Sequence, residues 1–381
     1  MQIDKNYIIK IYRELHQVPE IGFDLPKTLT IVRRELNAIG IPYTDKIGKS
    51  CIIATLNEGV GNKAIALRAD MDALPMPEES GVPFASTHPG KMHACGHDAH
   101  TAMLLGTAKA LKAMEKDIKC CVKFIFQSAE EILGGAKTIC DDGFMEQVDM
   151  VLGSHISTVT PAGYVRLNRG CCYACSRGVK VHLYGRAAHV TSPGRGIDAI
   201  EMAFRVYNAI KNLRDNEIDP AERVILTPGT IHGGTVNNTI CDHVVMEYSL
   251  RTMSTERNAE LYERISQITE EIASEMGGSA ELETYKYVPA LINDPTVCDG
   301  IVAAVSKTIG EDKLLEKKDS LGGEDFAYYA LYKPAAMFDL GVKVTDVPHF
   351  PAHNGKMRVN EDALDVTPMI FIQYILDYME S

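Results

Sequence analysis

The run His93-Ala94-Cys95-Gly96-His97-Asp98-Ala99-His100 carries three imidazoles and one thiol within eight residues. A thiolate and an imidazole two residues apart can bind one transition-metal ion, and the glycine between them permits the tight turn that this requires. The same run is also compatible with the start of a helix, with Asp98 as its cap. Taken alone, the motif leaves a metal site and a helix start both open.

Acidic or imidazole side chains also follow three short apolar runs that read as buried strands: Asp70 and Asp72 after 64–67, Glu130 and Glu131 after 121–126, and His155 after 150–152. The carboxyl edge of such a sheet is the usual ligand crevice of α/β domains. Each segment alone is compatible with a solvated turn. Together with the run at 93–100, these are four distant segments that converge on one edge, and this convergence predicts a metal site there.

Two further segments carry histidines whose role the residues alone leave open. His349 and His353 lie in the proline-rich loop 348–355, and His189 follows a predicted strand in Gly185-Arg186-Ala187-Ala188-His189. A lone histidine in such a place is more often structural than catalytic.

The elements that must position these side chains fall into two groups. A chain of 381 residues is long enough for two domains. From 1 to 177 helical and strand patterns alternate, with amphipathic helices at 7–18 and 27–39 and a third helix after His97. This pattern predicts an α/β fold with a helix-covered mixed sheet.

The pattern changes near residue 178. Segments up to 287 follow the order β-α-β-β-α-β, which is typical of a small ferredoxin-like α+β sheet with two helices on one face. Helical periodicity then returns at 300–310 and 361–379. We therefore expect a catalytic domain formed by 1–177 and 288–381, with an inserted lid domain at 178–287.

Composition narrows the classes of partner. Lys plus Arg number 39 and Asp plus Glu 51, a net charge of −12 without any basic run, which argues against nucleic acid or an anionic membrane. The sequence has no apolar stretch of membrane-spanning length, and its N-terminus lacks a signal-peptide core. Ten cysteines, some in adjacent pairs, are typical of thiols in a reducing compartment, so we expect a cytoplasmic protein.

Six motifs in order resemble one enzyme family. They are Arg-Ala-Asp-Met-Asp-Ala-Leu-Pro at 68–75, Met-His-Ala-Cys-Gly-His-Asp at 92–98, Gln-Ser-Ala-Glu-Glu at 127–131, Gly-Arg-Ala-Ala-His at 185–189, Gly-Glu-Asp-Phe at 323–326 and Asn-Glu-Asp-Ala-Leu at 360–364. Together they resemble the aminoacylase and carboxypeptidase-like dinuclear metallohydrolases, in particular the amidohydrolase branch with hippurate hydrolases, indole-acetyl-amino-acid hydrolases and N-acetyl-diaminopimelate deacetylases.

The resemblance implies two divalent metal ions, Zn²⁺ or Mn²⁺ with Ni²⁺ or Co²⁺ as further options, and a role for each matching residue. The implied metal ligands are Cys95, His97, Glu131, His155 and His353. Glu130 would be the general base, and His189 would reach the substrate carbonyl from the inserted domain, often across a dimer. Asn238 and Arg251 match substrate-binding positions.

Three departures from the family pattern affect these assignments. Ser128 replaces the usual proline of the acidic motif, which should alter loop stiffness more than ligation. The last motif lacks its usual proline and phenylalanine, which leaves His349 and His353 as alternatives, although the register of Asn360-Glu361-Asp362 favours His353. A His-x-Asp ligand motif is replaced by Asp70-Met71-Asp72, so Asp72 is expected behind the ligands.

These features predict a metallo-amidohydrolase that cleaves N-acyl-amino acids or similar small amides, with the substrate carboxylate held by Arg251 and Asn238. The resemblance also implies a partner, a second copy of the chain, in a homodimer formed through the lid domain. Within catalysis, a dipeptidase or carboxypeptidase-like exopeptidase is the alternative.

Two alternatives come from other classes. A non-catalytic metal-binding protein could share the fold, but it would have no need of the unligated Glu130. A redox role could rest on Cys172-Tyr173-Ala174-Cys175, but its flanks are strand-like and offer no helix N-terminus to lower a thiol pKa.

Overall fold

A mixed eight-stranded sheet runs through the first of two units in the computed structural model, which describes residues 3–345 and 347–380. The first unit comprises Met1–Cys172, Leu291–Asp319 and Glu324–Ser381. The second unit comprises Tyr173–Ala290 and Ser320–Gly323. The predicted α/β class with a helix-covered mixed sheet is confirmed.

The strands of the first unit form two sheets. In chain order they are β1 (Tyr43–Thr44), β2 (Ile52–Leu56), β3 (Ala64–Asp70), β4 (Cys121–Gln127), β5 (Met150–Pro161), β6 (Val165–Leu167), β7 (Gly170–Tyr173), β12 (Leu291–Asn293), β13 (Leu314–Glu316) and β14 (Ala335–Lys343). The large sheet has the order β1-β2-β4-β3-β5-β14-β6-β13, and β12 pairs with β7. Strands β4, β3, β5 and β14 run parallel at its centre, which aligns their carboxyl ends at one edge.

Helices of the same unit pack against this sheet. They are α1 (Lys5–His16), α2 (Pro26–Ile39), α3 (His97–Ala113), α4 (Gly135–Asp141), α7 (Pro295–Thr308), α8 (Ala327–Ala330) and α9 (Val366–Glu380). Helix α2 ends at Gly40, whose φ of 81° is the left-handed conformation expected of a C-cap glycine. Helix α3 is buried along almost its whole length, so its position is fixed by packing on several sides.

Two sequence-based expectations need correction in this unit. Asp98 does not cap α3: the N-cap is Gly96, and Asp98 lies in the first turn, where its carboxylate accepts from the Ala99 amide and pairs with His16. Strand β14 was not predicted, although it lies in the middle of the sheet and all its residues except Lys343 are buried.

The second unit has the predicted element order. It contains β8 (Cys175–Tyr184), α5 (Ala199–Asn212), β9 (Ile225–Gly233), β10 (His243–Thr252), α6 (Thr255–Glu275) and β11 (Ser279–Val288). The four strands form an antiparallel sheet with the order β11-β8-β10-β9, and α5 and α6 contribute to one core with it. This strand order and the helix pair are those of a ferredoxin-like fold.

Within residues 3–345 and 347–380, none of the helices is both long enough and apolar enough to cross a bilayer.

A buried ionic contact joins the end of α1 to the start of α3. His16 Nδ1 lies 2.6 Å from Asp98 Oδ2, and His16 Nε2 lies 3.0 Å from Glu78 Oε1. Burial lowers the pKa of His16, but the two carboxylates outweigh it and raise that pKa to about 10.

Stability should therefore fall with rising pH. A histidine pKa near 6.5 in the unfolded chain and about 10 in the fold gives a stabilisation that is complete below pH 6.5 and lost as the pH rises to 10, with a slope of up to about 1.4 kcal/mol per pH unit. Chemical unfolding of His16→Gln between pH 6 and 10 should show a flatter dependence than the parent chain. His349→Gln, at an exposed histidine, is the control, and equal slopes for all three proteins would contradict the assignment.

Candidate metal centre

The predicted ligands of the first unit converge at the carboxyl ends of its parallel strands. Cys95 and His97 enter from the start of α3, Glu131 follows β4, and His155 lies within β5. Ligand atoms of Cys95, His97 and His155 all lie within 4.8 Å of one another. The same limit holds for the group Cys95, Glu131 and His353. Five residues from four distant segments therefore form two groups, and the Cys95 sulfur belongs to both.

The C-terminal loop brings His353 rather than His349 to this cluster. His353 Nε2 lies 3.6 Å from Glu131 Oε1, and the His353 amide donates to the Ala94 carbonyl oxygen at 2.7 Å. His353 adopts a φ of 62°, a left-handed conformation that is uncommon outside glycine and that tertiary contacts must maintain. His349 is exposed and belongs to neither group.

Several buried polar atoms in the cluster fit a metal ion. Three buried atoms have no hydrogen-bond partner among the described residues: the two ring nitrogens of His97 and Oε1 of Glu131. Buried polar atoms are normally paired, because leaving one without a partner costs about 1–3 kcal/mol. A thiol, imidazoles and a carboxylate are ligands that divalent transition metals accept, so the donor set and the unpaired atoms agree.

The surroundings of His155 select the nitrogen that is available to a metal. His155 Nδ1 lies 2.7 Å from the Ile156 carbonyl oxygen, which can only accept, so Nδ1 carries the proton. Nε2 is then unprotonated and lies 3.4 Å from the Cys95 sulfur. This arrangement is the usual way in which a metal-binding histidine is oriented.

Asp72, expected behind the candidate ligands, contacts the backbone of the acidic pair. Its two carboxylate oxygens accept the backbone amides of Glu130 at 2.9 Å and Glu131 at 3.2 Å. The carboxylate also lies 3.5 Å from His97 Nδ1. Asp72 therefore fixes the backbone of the acidic pair. It faces Nδ1 of His97, whereas Nε2 of the same ring faces the two carboxylates of the pair.

Burial perturbs the charges of this cluster strongly. Burial, together with Glu324 and Asp325, raises the pKa of Glu130 well above its usual range. Burial likewise raises the pKa of the Cys95 thiol well above its ordinary value. Burial lowers the pKa of His97. The negative charge of Asp70 and of other neighbours outweighs burial, so that the pKa lies well above its ordinary value. A thiolate and clustered carboxylates in such a place require nearby positive charge, which a bound cation supplies.

The sequence did not assign a role to His100. Its Nδ1 lies 2.6 Å from Asp70 Oδ1, and its Nε2 accepts the Ile156 amide at 2.8 Å. The ring thus joins α3 to β5 directly after His155. A signal was available, because His100 follows His97 by three residues and so shares its face of the helix.

Three predicted site residues belong to the second unit. The carbonyl oxygen of Asn238 accepts the amide of Val190, and Thr239 pairs with His189 in an isolated bridge, so His189 and Asn238 are neighbours. Both side chains lie on an exposed part of the unit. Arg251 Nη1 instead donates to the Leu321 carbonyl oxygen at 2.6 Å.

The strand register separates Arg251 from Asn238. Arg251 lies near the carboxyl end of β10, eight residues beyond His243, which is roughly 26 Å along a strand. Asn238 precedes the other end of β10, and the pairing of 238–242 with 185–190 leads away from it. Within one chain the two residues therefore lie far apart, and their joint hold on a substrate carboxylate stays a prediction.

Comparison with known proteins identifies relatives along nearly the whole chain. Residues 66–377 match the model of peptidase family M20/M25/M40. An N-acetyl-L-cysteine deacetylase of Bacillus subtilis is 35% identical over 372 residues, which cover 97% of this chain and 86% of the relative. Thermostable carboxypeptidase 2 of Saccharolobus solfataricus is 33% identical over 365 residues, which cover 94% of this chain and 92% of the relative.

A solved structure of the same family also matches nearly the whole chain. The crystal structure of the Bacillus subtilis YXEP protein, described as a dinuclear metal binding peptidase from the M20 family, matches with a TM-score of 0.84 and 30% sequence identity. The match covers 99% of this chain and 98% of that one. The family resemblance inferred from the motifs is confirmed.

Gly96 should be required for the approach of Cys95 and His97. Its φ is 90°, and a Cβ placed on it would lie 2.2 Å from Ile156 Cδ1. Gly96→Ala should therefore lose about 1–3 kcal/mol more unfolding free energy than Gly90→Ala, since Gly90 has a φ of 74° but an open surrounding. Urea unfolding and metal content of both variants test this, and equal losses would show that the contact with Ile156 does not matter.

Proposed function

The chain belongs to peptidase family M20/M25/M40 and is a metal-dependent amide hydrolase, and on this premise we propose that it cleaves N-acyl-amino acids with Glu130 as the general base. The observation that carries the proposal is the position of Glu130. It adjoins Glu131 and is buried, with its Oε2 4.0 Å from His97 Nε2; its carboxylate comes close to His97 and Glu131 but belongs to neither of the groups that share Cys95. A protein that only stored metal would have no use for such an acid.

The two groups support two metal sites with a shared thiolate. Cys95, His97 and His155 would hold one divalent ion, and Cys95, Glu131 and His353 the other. Imidazole and thiolate suit Zn²⁺, and a carboxylate in the set also accepts Mn²⁺, Ni²⁺ or Co²⁺. When bound, such ions supply Lewis acidity toward an amide carbonyl and toward water.

Glu130 is suited to move a proton in this place. Its pKa is raised by burial and by the carboxylates of Glu324 and Asp325, and a raised pKa brings a carboxyl group closer to the working pH of a general acid and base. The carboxylate would take the proton of the attacking water and later deliver it to the leaving amine. Asp72, through the two amides of the acidic pair, keeps that carboxylate in place.

The substrate that we propose is a small amide with a free carboxylate. An N-acetyl-L-cysteine deacetylase among the relatives supports an N-acyl-amino acid. A carboxypeptidase among the relatives keeps a carboxypeptidase-like exopeptidase or dipeptidase as the second candidate. Both substrate classes present a carboxylate, for which the guanidinium of Arg251 is a suitable partner.

We also propose that the second unit is a lid through which two chains form a homodimer. His189 and Asn238 lie at one end of its sheet and Arg251 at the other. If all three serve one small substrate, they must come from two chains, with His189 of the partner subunit stabilising the oxyanion. The cytoplasmic location predicted from the cysteines remains part of this proposal, and no disulfide joins any of the ten, all of which are described.

An exposed apolar stripe on α5 supports this dimer. Ile200, Phe204 and Tyr207 share one face and are exposed, with Phe204 61% exposed, while another face of α5, with Met202, Val206 and Ile210, packs into the core. Strand β9 is an edge strand, and its Ile231 is also exposed. A second copy of the chain would cover these surfaces.

Replacing Glu130 by Gln tests the base. We expect Glu130→Gln to lower kcat about 10²–10⁴-fold, because the amide cannot take the proton, while metal content is retained. The assay compares N-acetyl- and N-benzoyl-amino acids with dipeptides, which also separates the two substrate candidates. Glu146→Gln, at an exposed glutamate, is the control. A metal-loaded Glu130→Gln protein with nearly unchanged kcat would refute the assignment.

Replacing Phe204 by Glu tests the dimer. The charge should weaken an interface that includes the α5 stripe, so sedimentation should show Phe204→Glu as a monomer at concentrations where the parent chain is a dimer. Arg205→Glu, about 100° around the helix, should leave the dimer intact. A monomeric parent chain would contradict the proposal, as would a dimer that Phe204→Glu leaves unchanged.

A further inference from the structure

A buried ionic network lies beneath the acidic loop, which we define as residues 128–134 between β4 and α4. At its centre is Arg68, which is 2% exposed. Its guanidinium donates to Gln127 Oε1 at 2.9 Å, to Asp70 Oδ2 at 2.6 Å and to Asp325 Oδ1 at 3.0 Å. These partners come from β3, β4 and the segment before α8, so one side chain joins three distant parts of the first unit.

Asp325 fastens the acidic loop at both ends. Gln127, the last residue of β4, donates its Nε2 to both Asp325 oxygens, at 2.7 and 2.9 Å. Ala136, in the first turn of α4, donates its backbone amide to Asp325 Oδ2 at 3.0 Å. One carboxylate therefore closes the loop that carries Glu130 and Glu131.

The orientation of Gln127 is fixed by its other contacts. Its Oε1 accepts from Arg68 Nε and from the Tyr329 hydroxyl, the latter at 2.9 Å. Because a donor occupies each approach to that oxygen, the amide nitrogen must face Asp325. The contacts are thus mutually consistent, and each depends on the others.

The backbone of the acidic loop needs such support. Ala129 and Leu133 both have a φ of 58°, in the left-handed region that residues other than glycine rarely adopt. Within the loop, the Leu133 amide donates to the Glu130 carbonyl oxygen at 2.7 Å, and the Gly134 amide donates to that of Ala129 at 3.1 Å. Backbone of this kind persists only where surrounding contacts determine it.

Asp325 has an alternative role as a metal ligand. Oxygens of Glu130, Glu324 and Asp325 lie within 4.8 Å of one another. However, every contact named above that reaches an Asp325 oxygen is a donor: the Arg68 guanidinium, the Gln127 amide and the Ala136 backbone amide. A cation would have to displace them, which makes Asp325 a poor ligand and a good anchor.

We propose that Arg68 and Asp325 are positioning residues that act as one unit to hold the acidic loop, and through it the Glu130 carboxylate, in the geometry for amide hydrolysis. The role in catalysis rests on the proposed function. The structural part, the support of the loop, does not depend on it.

A double-mutant cycle tests the proposal with Arg68→Met, Asp325→Asn and the combined variant. Asparagine must turn an NH₂ group toward one of the donors around Asp325, so it cannot replace the carboxylate. Each single variant should lower kcat at least tenfold with KM within twofold and with metal content unchanged. The combined variant should lose no more activity than the worse single variant, because both act through the same loop.

Hydrogen exchange of the metal-free protein gives a readout that needs no activity. The amides of Leu133, Gly134 and Ala136 should exchange at least tenfold faster in Asp325→Asn and Arg68→Met than in the parent chain. Glu35→Gln is the matched control, since Glu35 is a buried carboxylate of helix α2 that accepts from Arg34 Nε at 2.8 Å. It should lower the melting temperature without changing kcat or the loop amides.

Three results would overturn the proposal: unchanged loop exchange in both single variants, additive losses of kcat in the cycle, or loss of metal in Asp325→Asn alone, which would make Asp325 a ligand. If the parent chain hydrolyses none of the substrates, the proposed function fails, and the exchange measurement still decides whether the network holds the loop. If Arg68→Met does not fold, Asp325→Asn and the control decide the same question.

Discussion

The constraint on which the rest of the structure depends is the burial of several polar side chains that can ligate a metal ion, at the ends of parallel strands. A buried thiol, imidazole or carboxylate without a partner is costly, so a chain that places several together must compensate for each. Here the compensation comes in two layers. Cys95, His97 and Glu131 face one another and a candidate metal centre, while Asp70, Asp72 and His100 support them from behind through backbone amides and ring nitrogens. The sheet and α3 are arranged so that both layers meet.

The supporting layer explains why the acidic pair can differ in role. Glu130 and Glu131 are adjacent in sequence, and the same Asp72 carboxylate accepts both their amides. Their side chains nevertheless have different neighbours: Glu131 lies near His353, and Glu130 lies toward Glu324 and Asp325. Ala129 and Leu133, both in the left-handed conformation, flank the pair, and the buried Arg68 network lies next to this loop. Positioning in this site is therefore a matter of backbone geometry as much as of side-chain identity.

Much of the site could be predicted from the sequence, because its ligands follow strands or begin a helix in short motifs. The spacing of Cys95 and His97 across Gly96 suits a metal ion, but assigning them as ligands also needed the other motifs and the family resemblance. The order β-α-β-β-α-β of the second unit followed from its periodicity. The Arg68 network could not be found this way, since Gln127 and Asp325 lie 59 and 257 residues away in sequence. Strand β14 was missed because its residues do not alternate and because Asp339 and Gly341 interrupt its apolar run. The separation of Arg251 from Asn238 within one chain could not be foreseen, because only the register of β10 shows how far apart they lie.

One sulfur atom takes part in both groups of candidate ligands. An oxidant that converted the Cys95 thiol to a sulfinic acid would change a donor of each group in a single event. Damage at this atom would not leave a half-active centre with one intact site. The tolerance of the protein to oxidative stress would then be set by access to one side chain, which the surrounding chain leaves 8% exposed.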